Sequence, residues 1–140
     1  MLVHWGLPAG TKAAVFEFWE GKFLGPAQDR VTLKMPPESS RILAIRRLSD
    51  RPQVIGTDMH VLSGYHEIER LAWDPARKTL SGRCRRAPGL SGRVFLHVPR
   101  GYQPRPDGTR GSAPSTQIAD CLWAQAVEFK EPTADWSIAF

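Results

Sequence analysis

Residues 93–98 read Arg-Val-Phe-Leu-His-Val, and the run alternates: Val94, Leu96 and Val98 fall on one side of an extended chain, with Arg93, Phe95 and His97 on the other. Pro99 and Gly101 close it, so the segment predicts a β-strand. The neighbouring segments repeat the motif. Residues 78–86 (KTLSGRCRR) place Leu80, Gly82 and Cys84 on one face, residues 67–74 (EIERLAWD) end at Asp74-Pro75, and residues 53–57 (QVIGT) form a further short β-rich run. Downstream, residues 122–130 (LWAQAVEFK) and 135–140 (DWSIAF) bracket Glu131-Pro132-Thr133-Ala134, which predicts a final hairpin. Its last strand would place Trp136, Ile138 and Phe140 on one face, towards the core. Residues 102–116 (YQPRPDGTRGSAPST) are almost without apolar content and predict a long, flexible, exposed loop.

The N-terminal third reads in the same way. Residues 13–19 (AAVFEFW), the turn at Glu20-Gly21 and Lys22-Phe23-Leu24 predict a hairpin. Residues 30–35 (RVTLKM) set Val31, Leu33 and Met35 against Arg30, Thr32 and Lys34, the pattern of a half-buried strand stopped by Pro36-Pro37. Residues 40–48 (SRILAIRRL) predict another strand. No run holds a helical period for three turns, and Gly and Pro, twelve of each, favour many turns. The expected fold is an all-β, antiparallel β-sandwich. Its expected organisation is a partial β-module over residues 1–48, the end of a sandwich, and then a β-sandwich module over residues 49–140.

Composition excludes several classes. The net charge of +5 comes from Arg and Lys scattered in ones and twos among Glu and Asp, which argues against a nucleic-acid partner. Arg83, Arg85 and Arg86 are expected on a solvated strand face. No stretch approaches a membrane span, and residues 1–20 have no basic segment leading into a long apolar run, so a cytoplasmic location is expected. Cys84 and Cys121 form no CxxC pair and have no His at metal-ligand spacing, so structural or free thiols are expected.

The search for chemistry is negative. Glu67 and Glu69 lie on one side of a single strand and are expected on an exposed face, not as the facing carboxylates that glycoside hydrolysis needs. Asp58 and His60 are close in a turn without forming a dyad. His4, His60, His66 and His97 are scattered, and nucleophile-elbow, phosphate-loop, dinucleotide and zincin patterns are absent. No catalytic, cofactor-binding or metal-binding residue is therefore assigned, and no cofactor is expected. The remaining signal is aromatic: Trp5, Trp19, Trp73, Trp123 and Trp136 serve either core packing or, on an exposed face, a platform for stacking sugar rings.

Three stretches, residues 16–25 (FEFWEGKFLG), 36–46 (PPESSRILAIR) and 51–64 (RPQVIGTDMHVLSG), together resemble the C-terminal region of alpha-galactosidase-like (melibiase-type) glycoside hydrolases. Residues 67–102, with Trp73-Asp74, Leu80-Ser81-Gly82 and Val98-Pro99-Arg100-Gly101-Tyr102, are similar to the next segment of bacterial members, and Val127-Glu128-Phe129 and Asp135-Trp136-Ser137-Ile138 suit the terminal strands there. The resemblance implies a β-sandwich placed after a catalytic barrel. The family's catalytic aspartates belong to the barrel, so none is carried over. It also implies that strands preceding Trp5-Gly6-Leu7-Pro8-Ala9-Gly10 are missing, leaving an open sheet edge that a parent barrel or a second copy of the chain would cover. The expected function is that of a non-catalytic accessory module that packs against and stabilises the barrel. The alternative is a carbohydrate-binding module that uses exposed aromatic residues; a small stand-alone hydrolase is a third, weaker reading.

Overall fold

The computed structural model describes residues 6–106 and 114–140. They form ten strands: β1 (Lys12–Glu17), β2 (Lys22–Gln28), β3 (Leu43–Arg47), β4 (Gln53–Thr57), β5 (Ile68–Asp74), β6 (Thr79–Arg85), β7 (Ser91–His97), β8 (Thr116–Ala119), β9 (Leu122–Glu128) and β10 (Thr133–Ala139). There is no α-helix among the described residues, and so no helix long and apolar enough to cross a membrane. All pairings are antiparallel, and the strands divide into three sheets ordered β2-β1-β3, β4-β7-β9-β8 and β10-β6-β5. The fold is all-β and sandwich-like, as the alternation predicts.

Strand β7 explains the layering. Val94, Leu96 and the adjoining Val98 join a large core with Leu80, Cys84, Trp136 and Ile138 of the β10-β6-β5 sheet. Phe95 points the other way, into a second core with Ala14 and Phe16 of β1 and Ile55 of β4. Because side chains alternate across a strand, one six-residue segment feeds two cores, and its sheet is the middle layer of three. His97 shares the second side: its ring lies 5.5 Å from that of Phe23 on β2, and burial lowers its pKa. The proposed boundary after residue 48 falls between β3 and β4, where the chain passes from the first sheet to the middle one.

Residues 30–35 do not form the strand that their alternation predicts. Strands β2 and β3 flank β1 on opposite sides, so the connection between them has to cross a face of β1. The inner face is filled by the second core, which leaves the outer one. There Ala13, Val15 and Glu17 are almost fully buried although they face away from that core. Arg41, near the end of the crossing, reaches the Glu17 carboxylate at 3.8 Å and also pairs with Glu20. Val31 and Leu33 are half-buried while Thr32 and Lys34 are exposed, so the alternation is that of an extended cover with no ladder of its own.

The expected final hairpin is also absent. β9 pairs with β7 and β8, whereas β10 pairs with β6, so residues 129–132 carry the chain from the middle sheet to the third. Trp136, Ile138 and Phe140 do face the core, with exposures of 2%, 0% and 8%. Trp136 sits against Gly82, where a Cβ would stand 2.5 Å from its Cζ2, so the indole occupies the space that a side chain would fill. Of the loop expected at residues 102–116, the part at 107–113 lies outside the described residues. Its first residue, Tyr102, is anchored, with its ring edge-on to Trp73 and Phe140 at 6.0 and 6.2 Å. Its last, Thr116, begins β8, an exposed edge strand that the polar sequence did not suggest.

Candidate functional site

The loop between β4 and β5 is built around one carboxylate. Glu67 is only 3% exposed, so it does not lie on the open strand face expected of it. It precedes β5, and the register slips between Ile68 and Arg70, a bulge that breaks the simple alternation linking Glu67 with Glu69. Glu69 is exposed and faces Arg85 at 3.7 Å, so the two glutamates sit in different environments. Glu67 Oε1 accepts hydrogen bonds from the Thr57 hydroxyl and from the Gly64 N–H at 2.7 Å. Gly64 adopts φ +102°, and a Cβ there would stand 3.0 Å from the Arg46 guanidinium, so both backbone and space call for glycine. Glu67 Oε2 is buried without a hydrogen-bond partner.

Arg46 ties the loop to β3 and β4. Its Nη2 donates to the Ser63 carbonyl at 2.6 Å and its Nε to the Ile55 carbonyl at 3.2 Å. Burial pulls its pKa down from the usual arginine value, and the negative charge of Glu67 opposes that shift. The Ser63 hydroxyl accepts from the Thr57 N–H at 3.2 Å, which closes the loop back on the strand it leaves.

A cleft of about 370 Å³ opens beside this loop. Its polar wall is Glu67, His60, His66, Arg85 and Arg86, and its apolar lining is Met59, Ala87 and Pro132. The imidazoles of His60 and His66 stand 5.2 Å apart, centroid to centroid. His60 Nδ1 accepts the Leu62 N–H at 3.1 Å, which puts the proton of a neutral ring on Nε2. The loop rim is open: Tyr65 is 85% exposed, and Leu62 and Val61 are exposed beside it. Among the described residues no group of three or more His, Cys, Asp and Glu is arranged to hold a metal ion.

No family model, curated protein or solved structure matches the chain.

The cleft joins residues that sequence spacing left apart. His60 and His66 meet because the intervening Leu-Ser-Gly segment folds back, with Ser63 N–H donating to the His60 carbonyl at 2.8 Å. The Ser63-Gly64 pair is the sequence signal for that reversal; nothing in the sequence brings Arg86 and Pro132 to the same place. Asp58 and His60 do not pair: the Asp58 carboxylate accepts from the Arg93 N–H at 2.6 Å and from its Nε at 2.7 Å. His97 is buried between the first two sheets, and His4 and Trp5 lie outside the described residues. Arg83 and Arg85 occupy an open strand face as expected, Arg83 in a two-pronged pair with Asp135 at 2.8 Å. Arg86 is instead half-buried and donates to the Ser91 carbonyl.

Both cysteines are free, but they differ in access. Burial pushes the Cys84 thiol up to about 11, and its sulfur accepts the Trp136 indole N–H at 3.3 Å. Cys121 is half-buried in the turn before β9. A thiol reagent at pH 8 is expected to label Cys121 in the native protein and Cys84 only after denaturant is added, as intact mass would show. Equal native labelling of both would contradict the packing of Cys84.

Proposed function

We propose that the chain is a non-catalytic accessory β-module of a glycoside-hydrolase-like protein, which packs against and stabilises a catalytic barrel. The observation that carries the reading is the use of its aromatic residues. Trp136 is fully buried, and Trp73 and Trp123 pack on the same core, so of the described tryptophans only Trp19, at the tip of the β1–β2 hairpin, is exposed. An exposed tryptophan at a hairpin tip suits an anchor in a protein interface.

The carbohydrate-binding alternative, with an aromatic platform, has less support. Trp19 meets its ring neighbour Phe18 edge-on, at 73°, so the two rings do not form one coplanar platform. The test is to incubate the purified chain with aryl galactosides, glucosides and mannosides, then add it in trans to the purified catalytic barrel of a melibiase-type glycoside hydrolase. No turnover is expected, together with a higher melting temperature for the barrel that Trp19→Ala reduces. Turnover that survives repurification and is lost in Glu67→Gln, or a barrel indifferent to the chain, would overturn the proposal.

A further inference from the structure

We infer that the chain forms a two-fold dimer through β5, whose open edge pairs antiparallel with the same edge of a second copy and joins the two β10-β6-β5 sheets into one. Among the described residues β6 is the only strand paired with β5, so β5 ends its sheet. Its middle is open to solvent: Glu69, Arg70, Leu71 and Ala72 are all exposed, Leu71 by 47%. The Arg85 N–H donates to the Glu67 carbonyl at 2.8 Å, so the alternate β6 residues Arg83, Ser81 and Thr79 also turn their peptide groups towards β5. Their register partners Arg70, Ala72 and Asp74 answer them. The peptide groups of Leu71 and Trp73 therefore point outward, an edge of the kind that recruits another strand. The bulge near Ile68 and the proline after Asp74 confine regular pairing to residues 70–74. At the other side of the sheet β10 is closed at one end, where the Arg105 N–H donates to the Ala139 carbonyl at 2.8 Å.

The occupant is a second copy because this edge is complementary to itself. Antiparallel strands meet only in registers that keep paired side chains on one face, so a two-fold axis has to pass through a residue and its own copy. With the axis at Ala72, Arg70 stands opposite Asp74 of the second copy, and Asp74 opposite that copy's Arg70. On the other face Leu71 meets Trp73 of the second copy, and these two residues exchange the outward hydrogen bonds. Neighbouring registers fail: an axis at Arg70 opposes two guanidinium groups, one at Leu71 sets Arg70 against an alanine, and one at Trp73 brings in Pro75, which has no N–H. Both charges are available. Arg70 is 67% exposed and lies 3.8 Å from Asp135, whose carboxylate Arg83 already holds in a two-pronged pair. Asp74 accepts the Ala76 and Arg77 N–H groups on Oδ1, which leaves Oδ2 only the Arg77 guanidinium at 3.9 Å. The exposed edge at β8 carries no charge with which to select a partner. The inference does not rest on the accessory role, which is carried by Trp19.

Sedimentation equilibrium of the full chain over a concentration series is expected to move from 15.7 kDa to twice that mass, with added salt favouring the monomer. Leu71→Pro deletes an outward N–H without touching the β6 ladder, and Arg70→Glu sets like charges opposite each other. Each variant is expected to keep the parent's circular dichroism and to weaken self-association at least about tenfold. Position 72 reports the register, because Cα atoms in such a pair stand about 4.5 Å apart, within disulfide reach. In a Cys121→Ser background, Ala72→Cys is expected to oxidise to a disulfide-linked dimer, whereas Thr133→Cys, exposed on the same sheet, stays monomeric. If Leu71→Pro does not fold, Arg70→Glu and the two cysteine variants decide the question. The inference is overturned if the parent is monomeric throughout, if folded Arg70→Glu or Leu71→Pro associates like the parent, or if Ala72→Cys cross-links no more than Thr133→Cys. A monomeric parent that stabilises a catalytic barrel only while residue 71 is leucine would assign the edge to the barrel and overturn self-pairing as well.

Discussion

Replacing Trp136 by alanine is expected to destabilise the protein by about 3–5 kcal/mol, the usual cost of emptying a large aromatic site in a packed core. The indole is 2% exposed, rests on the bare backbone of Gly82, and donates its N–H to Cys84 at 3.3 Å. Neither neighbour can refill the space. Gly82 has no side chain, and Cys84 is held in place further along the same strand, so the cavity persists instead of collapsing. At this chain length the melting temperature should fall by roughly 10–20 °C. The complementary change, Gly82→Ala, puts a methyl into the indole and should cost about 1–3 kcal/mol by overpacking. Chemical denaturation of both variants checks the pair. A Trp136→Ala protein as stable as the parent would mean that β10 does not dock as described.

Phe95→Ala is the second change of comparable size, and it tests whether residues 1–48 stand apart from the remainder. The Phe95 ring lies 4.7 Å from that of Phe16 on β1, and its other close neighbours include the guanidinium of Arg93 at 5.1 Å. About 3–5 kcal/mol is expected for the alanine variant, because both sheets lose their common filling. Phe16→Ala should cost a similar amount, and a double-mutant cycle should return about 0.5–1.5 kcal/mol of ring-to-ring coupling. In the parent, amide hydrogen exchange at β1 of the first sheet and Cys84 labelling from the third should report one transition. Separate midpoints, with Phe95→Ala moving only one of them, would show two modules that touch without sharing a core.

Much of the strand inventory was legible because it rests on local chemistry. The β1–β2 hairpin arises from Glu20-Gly21, with Gly21 at φ +59°, a conformation that suits glycine in a tight turn. The inward positions of Leu80, Cys84, Trp136 and Ile138 come from period-two alternation. The site was less legible. Glu67 and Glu69 share a face in an ideal strand, but the bulge at the start of β5 separates them, and a bulge is set by how two strands meet, not by the residues of one. Residues 30–35 and β8 show opposite errors: a perfect alternation with no partner, and a polar run that gained one at the edge of the middle sheet.

By itself the sequence determined that this chain is all-β, where most of its strands run and which side of each is apolar, because turn residues and alternation act within a few residues of one another. Only the tertiary structure decided which strands become neighbours. It sent β10 to β6 instead of β9, gave β7 two cores in place of one, drew residues 29–42 across β1, and brought Glu67, two histidines and two arginines to one cleft. The physical reason is that an apolar face specifies that it must be covered but not by what. Burial is non-directional, so the partner is chosen by shape, connection length and the competition of every other face in the chain.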